Sequence, residues 1–292
     1  MKYKISKKAI LVTVLSIVLI ASVFSSGCVN DGEEEEYELR VVVTIPPQRE
    51  FVEEIGGDKV KVTLMVPPGE SPHSYEPTTE QMREVSKADL YFKVGSGVEF
   101  EESWMGRIEE NNPNMKIVDG SEGVDLIGSD PHIWLSPKNA KKMVQNILSA
   151  MKDEDPGNSG FYEDNAGEYI SELETRHNET KEGLDPYEGR EFLIYHPSFG
   201  YFAEEYNLTQ VAIEEEGKEP GTQGLQAIIE QAKDEGIKVV FVSPQFDESN
   251  AQTIADEIGG AVITLNPMAE DYLDNMEEVS DKLISSFEEV EG

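Results

Sequence analysis

From Leu39 onward the sequence predicts an α/β fold: two parallel-sheet domains, each close to (βα)4, joined by a long rigid backbone helix. Three observations carry this. Short runs rich in β-branched and aromatic residues alternate with helical patterns, the signature of βαβ units and a parallel sheet. The scheme occurs twice, before about residue 120 and again after about residue 190. Between the two runs lies a stretch of 27 residues, 158–184, with no proline and few apolar residues.

Taken in order, LRVVVTI (39–45) reads as a buried strand and PQREFVEEIG (47–56) as a helix ended by glycine. VKVTLMV (60–66) is the second strand. TTEQMREVSKA (78–88) is a helix with Thr78 as N-cap and Gln81 three residues on, a capping-box pattern. DLYFKVG (89–95) and MKIVDG (115–120) complete the first set of strands. SPKNAKKMVQNILSAMKDEDP (136–156) begins a helix after Pro137 and ends it at Asp155-Pro156. As a helix, 158–184 would span about 40 Å. Its sparse apolar residues, Phe161, Ala166, Tyr169, Ile170 and Leu173, suit a strut laid across two domains. Gly160 and Gly167 weaken its first turns. EFLIYH (191–196), LTQVAI (208–213), IKVVFVS (237–243) and AVITLN (261–266) are the second set of strands, with helices between them and a closing helix near 271–289.

The first 28 residues stand outside this fold. Lys2, Lys4, Lys7 and Lys8 precede a largely apolar run, 9–24, then SSGC. This is the layout of a secretory signal, and the apolar run is shorter than the roughly 20 residues of a membrane span. Cys28, the chain's single cysteine, sits where a lipoprotein lipobox places its lipidated residue, although Ser25 stands where an aliphatic residue is usual. An uncleaved anchor helix is the alternative, and either reading puts the protein outside the cytoplasm on the outer face of the cell membrane. NDGEEEEYE (30–38) is a charged tether. The organisation is then 1–28 signal, 29–38 acidic tether, 39–137 N-terminal lobe, 138–188 helical linker with backbone helix, and 189–292 C-terminal lobe.

The formal charge of −35 argues against nucleic acid, which needs a basic patch. It fits a solvated surface in a salty exterior, where screening limits self-repulsion. One cysteine builds neither an intramolecular disulfide nor a thiolate metal site, so any metal must use histidine, carboxylate, amide or water.

There are four histidines. His177 lies among charged residues in LETRHNET and reads as a solvated helix-face residue. The other three sit beside prolines in distant loops: His73 in SPHSYEPT, His132 in DPHIWLSP and His196 in YHPSFGYF. His73 and His196 fall at the carboxyl ends of strands, where open parallel sheets gather ligands, and His132 follows the fourth strand. Stiff loops fix the direction of an imidazole, and imidazole suits zinc and other first-row divalent ions. Any one of them alone is more simply a surface or core residue; three from both halves point to a metal site in the cleft between domains.

At these residues the chain resembles a known family, the metal-binding lipoproteins of ABC transporters for zinc and manganese (the cluster A-I solute-binding proteins). The strings that carry the resemblance are VVVTIPPQREFVEEIGGDKVKVTLMVPPGESPHSYEPT, DPHIWLSPKNAKKMVQNI, DEDPGNSGFYEDN, YHPSFGYFAEEYNL and KVVFVSPQFDESNAQTIADEIG. It implies that His73, His132 and His196 are metal ligands. The family's fourth ligand is an aspartate, and the matching residue in TLNPM is Asn266. Asn266 offers only a neutral carbonyl. A water, Asp271 or a glutamate of Glu214-Glu215-Glu216 are alternatives. Three neutral imidazoles and an amide leave the ion's +2 charge uncompensated inside the site. Ser243 stands where the family often has glutamate before PQF, and EGVDLIGSD (122–130) lacks the histidine-rich loop of many zinc members. Glu219-Pro220 also matches a family string, with no ligand role assigned.

The resemblance implies a non-enzymatic monomer that captures zinc, or else manganese or another first-row divalent ion, as cargo and hands it to a permease and its ATPase. A zinc hydrolase with an open fourth position is the enzyme alternative, but the chain has no HExxH and the sequence shows no obvious general base beside a ligand. A surface adhesion lipoprotein is the third reading.

Overall fold

The computed structural model describes residues 37–214, 218 and 220–291. Cys28, the leader and most of the tether lie outside them, as do Glu215, Glu216 and Glu219. Among the described residues no helix is long and apolar enough to cross a membrane.

Two four-stranded sheets form, both wholly parallel. The first contains β1 (Leu39–Val43), β2 (Val60–Leu64), β3 (Leu90–Lys93) and β4 (Lys116–Asp119) in the order β2-β1-β3-β4. The second contains β5 (Glu191–Ile194), β6 (Thr209–Ala212), β7 (Val239–Val242) and β8 (Ala261–Thr264) in the same order, β6-β5-β7-β8. The central strands are continuous apolar runs because helices cover both faces of a parallel sheet. Val41–Val43, Leu90–Phe92 and Val239–Val242 are accordingly all buried. In each sheet the order reverses at one strand pair, β1 with β3 and β5 with β7. The carboxyl ends of such a pair flank the crevice where ligands bind.

The helices are α1 (Pro46–Gly56), α2 (Thr79–Val85), α3 (Glu99–Asn111), α4 (Pro137–Glu154), α5 (Ser159–Leu184), α6 (Gly200–Glu205), α7 (Thr222–Asp234), α8 (Glu248–Ile258) and α9 (Tyr272–Glu291). Helix α4 starts where Ser136 Oγ accepts from Asn139 N at 3.1 Å and stops before Pro156, whose ring cannot continue a helix. Helix α5 is the long element expected of 158–184, and Gly160 and Gly167 do not interrupt it. It buries Tyr162, Ala166, Tyr169, Leu173, Thr180 and Leu184, a narrow stripe at helical spacing, against α1, α4 and α9. The sequence reading put Phe161 on that stripe. The structure turns Phe161 outward under Lys59 Nζ and buries its neighbour Tyr162, whose hydroxyl donates to Asp155 at 2.7 Å.

The two sheets are lobes of one compact unit that begins at Tyr37. One hydrophobic cluster runs from Val43 and Phe51 through Trp134, Tyr169 and Tyr272 to Phe192 and Phe241, and so spans both lobes. A smaller cluster, Leu193, Val240, Val242 and Ile254 among others, lies on the outer face of the second sheet. Polar contacts cross with the core. Glu50 on α1 accepts from Tyr169 Oη at 2.5 Å and from the backbone N of Tyr272. Trp134 Nε1 donates to Pro267 O at 2.7 Å, and Tyr272 Oη donates to Trp134 O at 2.8 Å. Tyr272 is fully buried, its ring edge-on to Phe51 with centroids 5.1 Å apart.

Tyr272 is therefore expected to be a stability hot spot. Tyr272→Ala should cost about 3–5 kcal/mol in urea unfolding, the range for buried aromatic truncations. Tyr272→Phe, which loses only the bond to Trp134 O, should cost about 1 kcal/mol.

Candidate metal site

The loop carrying His73 is anchored at its far end. Thr78 and Gln81 form the expected capping box at the start of α2. Gln81 Nε2 also donates to Leu64 O (2.8 Å) and Met65 O (2.7 Å) at the end of β2. The loop is thus held to its own strand, and His73 N donates to Ser71 Oγ at 3.3 Å. His132 is placed by the residue two before it. Asp130 Oδ1 accepts from His132 N at 2.9 Å in a tight local turn, and Ser96 Oγ holds Pro131 O from the β3 side. His196 leaves the end of β5, and the ring of Phe246 stacks on it with centroids 4.8 Å apart.

These elements bring the three proline-flanked histidines together. Ring centroids of His73 and His196 are 5.2 Å apart and those of His132 and His196 5.4 Å apart, both pairs edge-on. His132 and His196 are buried, and His73 is the exposed member. Among the described residues no three histidine, cysteine, aspartate or glutamate groups stand at the spacing of a formed metal centre. The imidazoles nevertheless converge from both lobes.

Each imidazole is paired with a carboxylate at the same ring atom. Nδ1 of His73 lies 2.7 Å from Glu99 Oε2, Nδ1 of His132 lies 2.7 Å from Asp130 Oδ1, and Nδ1 of His196 lies 2.8 Å from Glu214 Oε2. A neutral imidazole that donates from Nδ1 has its lone pair on Nε2, the arrangement common around metal-bound histidine. The Nε2 atom of His196 is buried and has no hydrogen-bond partner. A buried polar atom left in this state costs about 1–3 kcal/mol, which a cation at that atom would recover. The three carboxylates also change the charge balance expected from sequence. Negative charge lies one hydrogen bond behind each imidazole, so a +2 ion would not be uncompensated.

Asn266 follows β8, its Oδ1 accepts from Met268 N at 3.0 Å, and its backbone O accepts from Asn275 Nδ2 at 2.8 Å. It lines a cleft of about 480 Å³ with Pro68, Asp271 and Asp274, whose walls include none of the three histidines. Glu214 reaches the site, but behind His196 at Nδ1 rather than toward Nε2. His177 corrects another expectation. It is half-buried rather than solvated, with Nδ1 2.9 Å from Glu205 Oε1 and 3.1 Å from Tyr206 Oη. It lies three residues before Thr180 and four after Leu173, on the edge of the buried stripe of α5, and its charged neighbour Arg176 pairs with Glu277 on α9. The sequence reading also missed the pairing roles of Glu99 and Asp130. Asp130 was detectable, since an aspartate two residues before a histidine can hold both its backbone N–H and its ring. Glu99, distant in sequence, carried no such signal.

Burial, followed by the neighbouring charges of His132 and His73, pushes His196 from its usual 6.5 down to about 3. His196 is thus a neutral base at ordinary pH. The unfolded chain takes this proton near 6.5 and the folded chain only near 3, so acidification favours unfolding across that window. Urea midpoints of metal-stripped protein should fall between pH 6.5 and pH 4, and His196→Gln should reduce the slope.

The family described as "ZnuA: Zinc-uptake complex component A periplasmic" matches residues 41–286. The high-affinity zinc uptake system protein ZnuA of Bacillus subtilis (strain 168) is 31% identical over 274 residues, 86% of this chain and 85% of that protein. The manganese-binding lipoprotein MntA of Halalkalibacterium halodurans is 29% identical over 291 residues, 92% of this chain and 96% of that protein. A solved crystal structure of a ZnuA superposes with a TM-score of 0.81 at 37% identity, covering 85% of this chain and 98% of the other.

Proposed function

The chain belongs to the family of zinc-uptake complex component A, metal-binding solute-binding proteins and not enzymes, and from that premise we propose that it captures zinc outside the cell. His73, His132 and His196 would hold the ion through Nε2. Exposed His73 would meet it first, and the buried pair would complete its capture. The observation that carries this reading is the buried, unpartnered Nε2 of His196 with two further imidazoles beside it.

Zinc is favoured over manganese because the site offers three nitrogen donors. Zinc takes nitrogen-rich tetrahedral shells, whereas manganese prefers carboxylate, carbonyl and water oxygen. The relatives divide, one named for zinc and one for manganese, so the donor set supports the choice. The ion is cargo, delivered to an ABC permease and its ATPase. The protein would work as a monomer anchored through Cys28.

Metal-stripped protein offered zinc, manganese, iron, cobalt and nickel together should retain one equivalent, chiefly zinc, by mass spectrometry. The triple variant His73→Ala, His132→Ala, His196→Ala should retain none. Equal metal in both proteins would contradict the assignment, and a preference for manganese would contradict the cargo.

A further inference from the structure

We propose that Ser243 is a further cation-binding residue, whose hydroxyl holds a water in the fourth position, opposite the three imidazoles. This rests on the reading that those imidazoles bind the ion.

Ser243 and His196 flank the same crevice. Strands β5 and β7 are the pair at which the second sheet's order reverses, with Leu193 beside Val240 and Ile194 beside Phe241. Two residues beyond Ile194 is His196, and two beyond Phe241 is Ser243. Both residues therefore lie just past the carboxyl ends of two hydrogen-bonded neighbouring strands. They share one neighbour: Phe246 N donates to Ser243 O at 3.0 Å, and the ring of Phe246 stacks on His196.

Ser243 is wholly buried, and its Oγ has no hydrogen-bond partner, the same condition as His196 Nε2. Two unpartnered polar atoms at one switch-point crevice call for a shared occupant. A hydrated cation fits both. Nε2 would donate its lone pair to the metal, and a metal-bound water would give a hydrogen bond to Oγ. Direct ligation is disfavoured, since zinc sites draw on thiolate, imidazole and carboxylate donors. Asn266, the alternative fourth donor, has its Oδ1 engaged by Met268 N. A neutral water in this position adds no charge, leaving compensation to Glu99, Asp130 and Glu214, and it exchanges without breaking a protein–metal bond.

The test is a cobalt(II) titration of metal-stripped protein followed by visible absorption, with zinc competition, for the wild type, Ser243→Ala and Asn266→Ala. Ser243→Ala should still bind one equivalent, with a changed cobalt band and affinity lower by about tenfold, while Asn266→Ala should stay within about twofold of the wild type, since loss of a group behind the ligands typically costs tenfold or more. Metal-free Ser243→Ala should melt no lower than the wild type, because the hydroxyl it loses is unsatisfied. A Ser243→Ala protein matching the wild type in band and affinity, or an affinity loss confined to Asn266→Ala, would overturn the inference alone. A wild type that binds no cation would instead remove the reading beneath it.

Discussion

The hydrogen bond between each imidazole Nδ1 and a carboxylate is the contact on which the rest of the site depends. It selects the tautomer, aims Nε2 away from the carboxylate and supplies negative charge without spending a coordination position. The three pairs differ in strength because they differ in burial. The carboxylate of Glu99 beside His73 is more than half exposed, and such pairs contribute roughly 0–1 kcal/mol. His132 with Asp130 and His196 with Glu214 are largely buried, where separating the partners would leave polar groups without water. The cluster therefore has two fixed imidazoles and one easily displaced. Under the proposed function, such an arrangement would let an ion be gained or lost one bond at a time.

The fixed pair inherits its geometry from the packing between the lobes. His132 lies four residues before Ser136, the N-cap of α4, and His196 lies nine residues before Glu205 at the end of α6. Ser136 Oγ donates to Glu205, and His177 on the long helix closes in on the same carboxylate. Burial raises the Glu205 pKa, and hydrogen bonds from Ser136 and the charge of His177 oppose that rise. Together with Glu50, Trp134 and Tyr272, this network joins the lobes through one core. A hinge that swung them apart would break that core, so under the proposed function ion exchange would fall to the loops, above all the His73 loop.

Much of this was legible in the sequence, for identifiable reasons. Buried parallel strands are written as unbroken apolar runs, so VVV at β1 and VVFV at β7 could be placed closely. Pro137, Pro156 and the Thr78–Gln81 capping box marked helix ends through local chemistry alone. The three ligand candidates stood out because proline-stiffened loops are an unusual setting for most of a chain's few histidines. What could not be read depended on distant partners or on a single residue of helical phase. Glu99 meets His73 across 26 residues and a strand. Phe161 and Tyr162 exchanged roles because one residue rotates the direction by about 100° on a helix. Asn266 matched a ligand position by string, but the bond its carbonyl accepts from Met268 N carried no sequence signal.

The central claim is that a cation is held by three imidazoles through Nε2, with a light oxygen donor completing the shell. X-ray absorption fine structure of the zinc-loaded protein measures this directly. Three imidazole nitrogens and one oxygen at about 2.0–2.1 Å are expected. A shell of six oxygens, or fewer than three imidazoles, would contradict it.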